Sequence, residues 1–339
     1  MVTHDYSRGL LTRRFDIEQA LRQSQPNSQL GPVDYTIARE GSEKTIFPNA
    51  HIEDKFGRHP MSKCSTIMMW LWVVSALSFS LAQAGERNSF KVCADPHSLP
   101  SSTKDLQGYE NKIAKIFADD LGLPLAFEWF PQRIGFIRNT LRNNDSPDGS
   151  YKCDIVMGVV EGFELAATTK PYFHSAWAMV YVKGRGWDDI QSQQDLLDLP
   201  PQRKDKLRIG LFEQSPAAFW LARHGLMRYM TPYPIMSGDP LAYPGQIIEQ
   251  DLTQDKINLT FVWGPIAGYF AKRAKDKEIV VIPMKSEPGI KFHYGIVMAV
   301  RHGEKAWKKQ ITELIAKHKN EIKKILLDYG VPLLEKERG

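Results

Sequence analysis

The sequence predicts an α/β protein of two lobes, and three observations carry the prediction. Apolar runs of strand length alternate with stretches of helical period. The alternation occurs twice, before and after a break at Lys183-Gly184-Arg185-Gly186. Several runs, CDIVMGV at 153–159 and YGIVMAV at 294–300 among them, are near-continuously apolar, as strands buried on both faces are.

The first strand is expected at 90–94 (FKVCA), ended by Asp95-Pro96 and a loop over 97–107. A helix starting near Gly108 places Ile113, Ile116, Phe117 and Leu121 on one stripe, and Gly122 with Pro124 stops it. A strand follows at 125–130. Ile134, Ile137 and Leu141 then mark a second helix, and the polar turn 143–149 leads to the strand at 153–159. Strand, helix, strand, helix, strand is the order of a parallel sheet. A further strand is expected at 178–182.

The second unit opens with a strand at 207–212, after which Ser215-Pro216 can start a helix as N-cap and first residue. Residues 247–252 read as helical, 259–263 as a strand, 265–275 as a helix, and 279–283 and 294–300 as strands. One C-terminal helix then carries Trp307, Ile311, Leu314, Ile315, Ile322, Ile325 and Leu326 on one face, with lysines between as a solvated face. The lobes would join near 183–187 and again near 286–292. Small molecules in such folds bind beyond the carboxyl ends of strands and between lobes.

Residues 61–84 read as a secretory signal peptide. Lys63 precedes an uncharged apolar run at 67–82, and Ala82-Gln83-Ala84 is a small-residue cleavage site. The run is shorter than the roughly 20 apolar residues a membrane span needs, so the mature chain from about Gly85 is expected in the periplasm, without stable membrane insertion. Residues 1–60 are polar and aperiodic; they read as a mis-annotated upstream stretch or a disordered extension. With nine basic and eight acidic residues removed, the formal charge of +5 becomes +4. That balance is mild and dispersed, and nucleic acid is not an expected partner. Cys64 leaves with the signal. Cys93 and Cys153 remain, which in an oxidising compartment points to a disulfide, two buried thiols being the alternative. Neither metal-ligand spacing nor a cofactor motif is present.

Val92-Cys93-Ala94-Asp95-Pro96, GYENKIAKIFADDLGLPL at 108–125, WFPQR at 129–133 followed by Gly135-Phe136, KCDIVMGV at 152–159 and TKPYFHS at 169–175 resemble one family over residues 88–335. It is the quinoprotein dehydrogenase-associated branch, the MoxJ/XoxJ type, of the type 2 periplasmic solute-binding proteins. The resemblance implies a type 2 periplasmic binding protein fold with a hinge and a central cleft. Lobe 1 would comprise 85–182, lobe 2 would comprise 183–285, and 286–339 would return to lobe 1 with the C-terminal helix. In that fold the strands carrying Cys93 and Cys153 are neighbours, about 4.8 Å apart, which suits a bridge. The implied partner is a quinoprotein (PQQ-dependent) methanol dehydrogenase, whose maturation or activity the protein would aid. The alternative is the substrate-binding component of an ABC importer, with an ABC permease as partner and a small non-amino-acid solute as ligand.

Amino-acid-binding relatives carry an Arg after the strand matching CDIVMGV and an Asp after the lobe-2 strand. Here those stretches read VEGFELA at 160–166 and VWGP at 262–265, with neither anchor. The strand-end residues are instead Asp95, His97, Trp129, Glu161, Trp177, Phe212, Gln214 and Trp263. They suggest an aromatic, weakly polar cleft for an uncharged or aromatic ligand, or for a protein segment. Lobe packing is the other role open to each Trp, loop capping to Asp95, and pairing with a carboxylate is favoured for Arg133. A nucleophile elbow, a phosphate loop and an H-E-x-x-H helix are absent, and no catalytic residue is expected.

Overall fold

The computed structural model describes residues 87–234, 239 and 242–335. The expected signal peptide and the stretch 1–60 lie outside the described residues, as do 336–339. Among the described residues no helix is long and apolar enough to cross a membrane.

In lobe 1, β1 (Phe90–Ala94) leads through the short β2 (His97–Ser98) and β3 (Ser102–Thr103) to α1 (Tyr109–Leu121). β4 (Leu125–Trp129), α2 (Phe136–Asn139), β5 (Ile155–Val160), β6 (Ala167–Thr168) and β7 (Phe173–Val182) follow. Lobe 2 adds α3 (Gln193–Leu197), α4 (Pro201–Lys204), β8 (Ile209–Phe212), α5 (Pro216–Arg223) and β9 (Met230–Tyr233). It continues with a π-helix at Ile247–Leu252, β10 (Leu259–Trp263), α6 (Gly264–Arg273) and β11 (Ile279–Pro283). β12 (His293–Val300), α7 (Lys305–Lys317) and α8 (Lys319–Asp328) close the chain.

The strands run β4-β1-β5-β12-β7-β10-β8-β9, with β11 also on β7 and β6 on β12. β4, β1 and β5 are parallel, as are β10, β8 and β9. β7 belongs to both halves. Phe173 to Ala176 pair with β12, and from Trp177 the strand pairs with β10, joined from Ala178 by β11. β7 therefore changes partners at Ala176–Trp177, upstream of the glycine break at 184–186.

Three other local differences from the sequence reading have physical causes. The helix expected over 134–141 shrinks to α2: it starts only at Phe136 because Gly135 sits at φ 89, a left-handed value that no helix interior tolerates, and it stops at Asn139 because Thr140 leaves the helical torsions at φ −121, ψ −88. Ile134 is left 87% exposed. The single C-terminal helix is two helices broken at His318, whose ring lies between Asp120 (Nε2 to Oδ2, 2.5 Å) and Glu321 (Nδ1 to Oε2, 2.6 Å). β9 was not anticipated, since it contains Pro232; it lies at the edge of the sheet, where a missing N–H is tolerated.

Cys93 and Cys153 form a disulfide with Cα atoms 5.4 Å apart, both sulfurs lying in a small apolar cluster with Phe136, Leu141 and Val297. Beside it Arg301, 8% exposed, donates to the carbonyls of Leu141 (3.1 Å) and Cys153. It also donates to Asp154 and Glu304, each at 2.8 Å. This guanidinium ties β12 to the start of β5 and to α7.

After α8 the chain passes between the lobes as a strap. The Tyr329 hydroxyl donates to the Gln107 carbonyl in lobe 1, and its ring stacks on Tyr269 of α6 at 5.6 Å. Ser175 of β7 donates to the Pro332 carbonyl at 2.8 Å. A Cβ on Gly268 of α6 would lie 1.8 Å from the Gly330 carbonyl oxygen, so the two backbones touch directly. Alanine raises helix propensity over glycine by about 1 kcal/mol, so any net loss reports the crossing. Gly268→Ala is expected to lower Tm by a few degrees, about 1–2 kcal/mol of overpacking. A calorimetric scan checks this, and an unchanged or raised Tm would show that the strap is not tightly seated.

Candidate functional site

An open cavity of about 1100 Å³ lies where the carboxyl ends of β1 and β4 face those of β8 and β9. Lobe 1 supplies Asp95, His97 and Ser98 after β1, and Gln132, Arg133 and Ile134 after β4. Lobe 2 supplies Phe212, Glu213 and Gln214 after β8, Tyr233 and Pro234 at the end of β9, and residues leading into the π-helix.

Each wall is braced. Asp95 Oδ1 accepts from the His97 N–H at 2.8 Å and Oδ2 from the Gln132 N–H at 2.6 Å, joining the loops after β1 and β4. On the opposite wall Phe212 packs edge-on to Tyr233 with centroids 6.2 Å apart. The Tyr233 hydroxyl donates to Asp251 Oδ2 at 2.7 Å, and Tyr243 donates to Glu249 at 2.6 Å. Burial, and then the Asp251 hydrogen bond, push the Tyr233 hydroxyl well above the usual phenol range. Tyr233 therefore serves the wall as a neutral donor. Gln214, at φ 57, holds a left-handed backbone that a residue other than glycine adopts at some cost. Among the described residues no group of His, Cys, Asp and Glu could hold a metal ion.

The cavity brings together four residues named from the sequence: Asp95, His97, Phe212 and Gln214. The other four lie elsewhere. Trp129 stacks on Phe127 at 4.8 Å. Trp177 and Trp263 are directly opposed in the β7–β10 ladder, and Trp263 also meets the edge of Tyr294 at 6.0 Å. Glu161 is exposed after β5, its N–H donating to the Gly295 carbonyl at 2.8 Å. The pairing favoured for Arg133 is not found: among the described residues its guanidinium has no carboxylate partner, and it stands exposed at the cavity. Tyr233, Tyr243 and Gln246 were not singled out, because 233–246 is a Pro- and Gly-rich stretch without period, and Glu213 and Asp251 carry no local signal that separates them from solvated surface acids.

Behind the lobe-1 wall, Glu110 in the first turn of α1 occupies the space over Gly158 of β5. A Cβ there would come within 2.2 Å of Glu110 Oε1. Burial, helped by the charge on Asp95, raises the Glu110 carboxyl to about 7. The charged form is thus disfavoured in the folded state. Stability from this group is full below the ordinary value of 4.5 and is lost as pH rises to about 7. Glu110→Gln is expected to remove that part of the loss, so the variant-minus-wild-type difference in Tm grows from pH 4.5 to 7 and then levels off. A flat difference would show that Glu110 ionises freely in the fold.

No family model matches the chain. A solved structure of the periplasmic binding protein XoxJ from Methylobacterium extorquens AM1 is 30% identical, with a TM-score of 0.58 over 73% of this chain and 100% of that one. The chain belongs to the MoxJ/XoxJ family of periplasmic binding proteins. Protein MoxJ of Methylorubrum extorquens is 25% identical over 263 residues, 74% of this chain and 83% of that protein. The structure of MxaJ from Methlophaga aminisulfidivorans MPT shares the fold, at 24% identity and a TM-score of 0.61 over 73% of this chain and 100% of that one. The family's two-lobed α/β architecture is that seen here, with the cavity at the lobe junction.

Proposed function

We propose that this is an exported, non-enzymatic periplasmic protein that uses a solute-binding fold to assist a quinoprotein (PQQ-dependent) methanol dehydrogenase in maturation or activity. The observation that carries the reading is the 30% identity to XoxJ over the whole of that chain. Two features support an accessory over an amino-acid receptor. The stretches 160–166 and 262–265 lack the charged anchors of amino-acid-binding relatives. The cavity, at about 1100 Å³, slightly exceeds the roughly 300–1,000 Å³ of small-molecule sites. The site residues proposed for it are Asp95, His97, Phe212 and Gln214, with Arg133, Glu213 and Tyr233 added.

Affinity purification of the native protein from periplasm tests the association. The dehydrogenase is expected in the eluate. An eluate that holds an ABC permease, or protein with a retained small solute and no dehydrogenase, would favour the importer reading instead.

A further inference from the structure

The ionisable side chains of the cavity divide into engaged and unengaged. Asp95 has both oxygens on backbone N–H groups. Asp251 accepts from Tyr233 and pairs with Lys256 at 2.9 Å, and Asp239 is engaged as well. The His97 ring has no hydrogen-bond or ion-pair partner among the described residues, its bond to Asp95 being made by the backbone N–H. Arg133 and Glu213 differ from the three acids in being unengaged, and from His97 in being residue types fully charged near neutral pH. Among the described residues neither side chain has an ion-pair or hydrogen-bond partner, and both are exposed to the same cavity. They are of opposite sign and on opposite lobes.

Between them the lining is suited to a peptide. Gln132, Gln214 and Gln246 each bring a carboxamide, which donates and accepts as a peptide bond does. Phe212 and Tyr243 supply flat apolar faces, and Ile134, 87% exposed, stands at the lobe-1 wall as an apolar contact without a cover.

We infer that the cavity is a peptide site whose specificity is set by Arg133 and Glu213, the first taking a carboxylate and the second an ammonium of one short extended peptide. Those charges can be the termini of a free oligopeptide or side chains within a partner's loop. The inference rests on the cavity being the binding site and not on the dehydrogenase association, which co-purification tests separately.

Titration calorimetry at low salt with three probes decides it: tetra-alanine with free termini, the blocked peptide Ac-Glu-Ala-Ala-Lys-NH2, and uncharged Ac-(Ala)4-NH2. At least one charged probe is expected to bind about tenfold or more tightly than the uncharged one. Arg133→Gln and Glu213→Gln are each expected to remove about that factor for the charged probe and to leave the uncharged one unchanged. Both are exposed positions, so Tm without peptide should hold and establish that the variants are folded. Binding by tetra-alanine alone identifies the free-oligopeptide source; binding by the blocked charged probe alone identifies the partner loop.

Equal affinity for the uncharged probe, charged-probe affinity untouched by both substitutions, or no binding of any probe at millimolar concentration would overturn the inference.

Discussion

Replacing Cys93 and Cys153 together by alanine is expected to lower stability by about 4 kcal/mol. The bridge spans a sequence separation of 60 residues, and freeing a loop of that size restores roughly that much chain entropy to the unfolded state. For a chain of this length the change corresponds to a Tm lower by about 12 °C. Thermal unfolding of the two proteins under identical conditions checks it, and a fall below about 3 °C would mean the unfolded chain is already compact there. Both cysteines are nearly inaccessible, Cys93 at 2% and Cys153 at 0%. Thiol labelling after reductant treatment should therefore appear only as the fold opens.

Arg301→Met is expected to cost about 3 kcal/mol. The guanidinium serves two carbonyls and two carboxylates in a nearly dry site. Removing it strands Asp154, whose side chain is 11% exposed. Breaking a buried pair in this way typically costs 3–5 kcal/mol. The low end applies because Arg87 remains 3.4 Å from Asp154 and shares the charge. Urea denaturation should show a lower midpoint with an unchanged slope. Because Arg301 bonds the carbonyl of Cys153, losses from the two sites should not add, and the triple variant is expected to fall short of their sum.

Much of the fold was legible because its signals are local. The stripe Ile113, Phe117 and Leu121, the Ser215-Pro216 start and the apolar runs in β5 and β12 each declare an element within a dozen residues. The disulfide was legible through the resemblance, which placed its two strands side by side. What escaped depends on distant partners. Nothing within Phe173–Val182 indicates that its first four residues will pair with β12 and the rest with β10 and β11. A single glycine torsion at Gly135 shortened a plausible helix, and a histidine held between two carboxylates divided another.

The candidate site followed the same division. Asp95, His97, Phe212 and Gln214 meet at one cavity because strand ends of a parallel sheet converge. Trp129 and Trp263 are also at strand ends and Trp177 lies midway along β7, but their rings or strand partners engage Phe127, each other and Tyr294. Strand-end position locates a backbone and leaves the side chain's direction to packing. Arg133 was misread for a related reason: its position in the sequence does not show where its guanidinium points, and among the described residues no carboxylate pairs with it, the Asp95 carboxylate beside it being held by backbone N–H groups.

The most direct measurement is dehydrogenase activity in a strain lacking this protein, complemented with wild type or with Arg133→Gln plus Glu213→Gln. The account predicts that deletion lowers periplasmic methanol dehydrogenase activity, that wild type restores it, and that the double variant, folded and exported, does not. Full activity in the deletion strain would contradict the accessory role. Full rescue by the double variant would leave that role standing and contradict the cavity as its working surface.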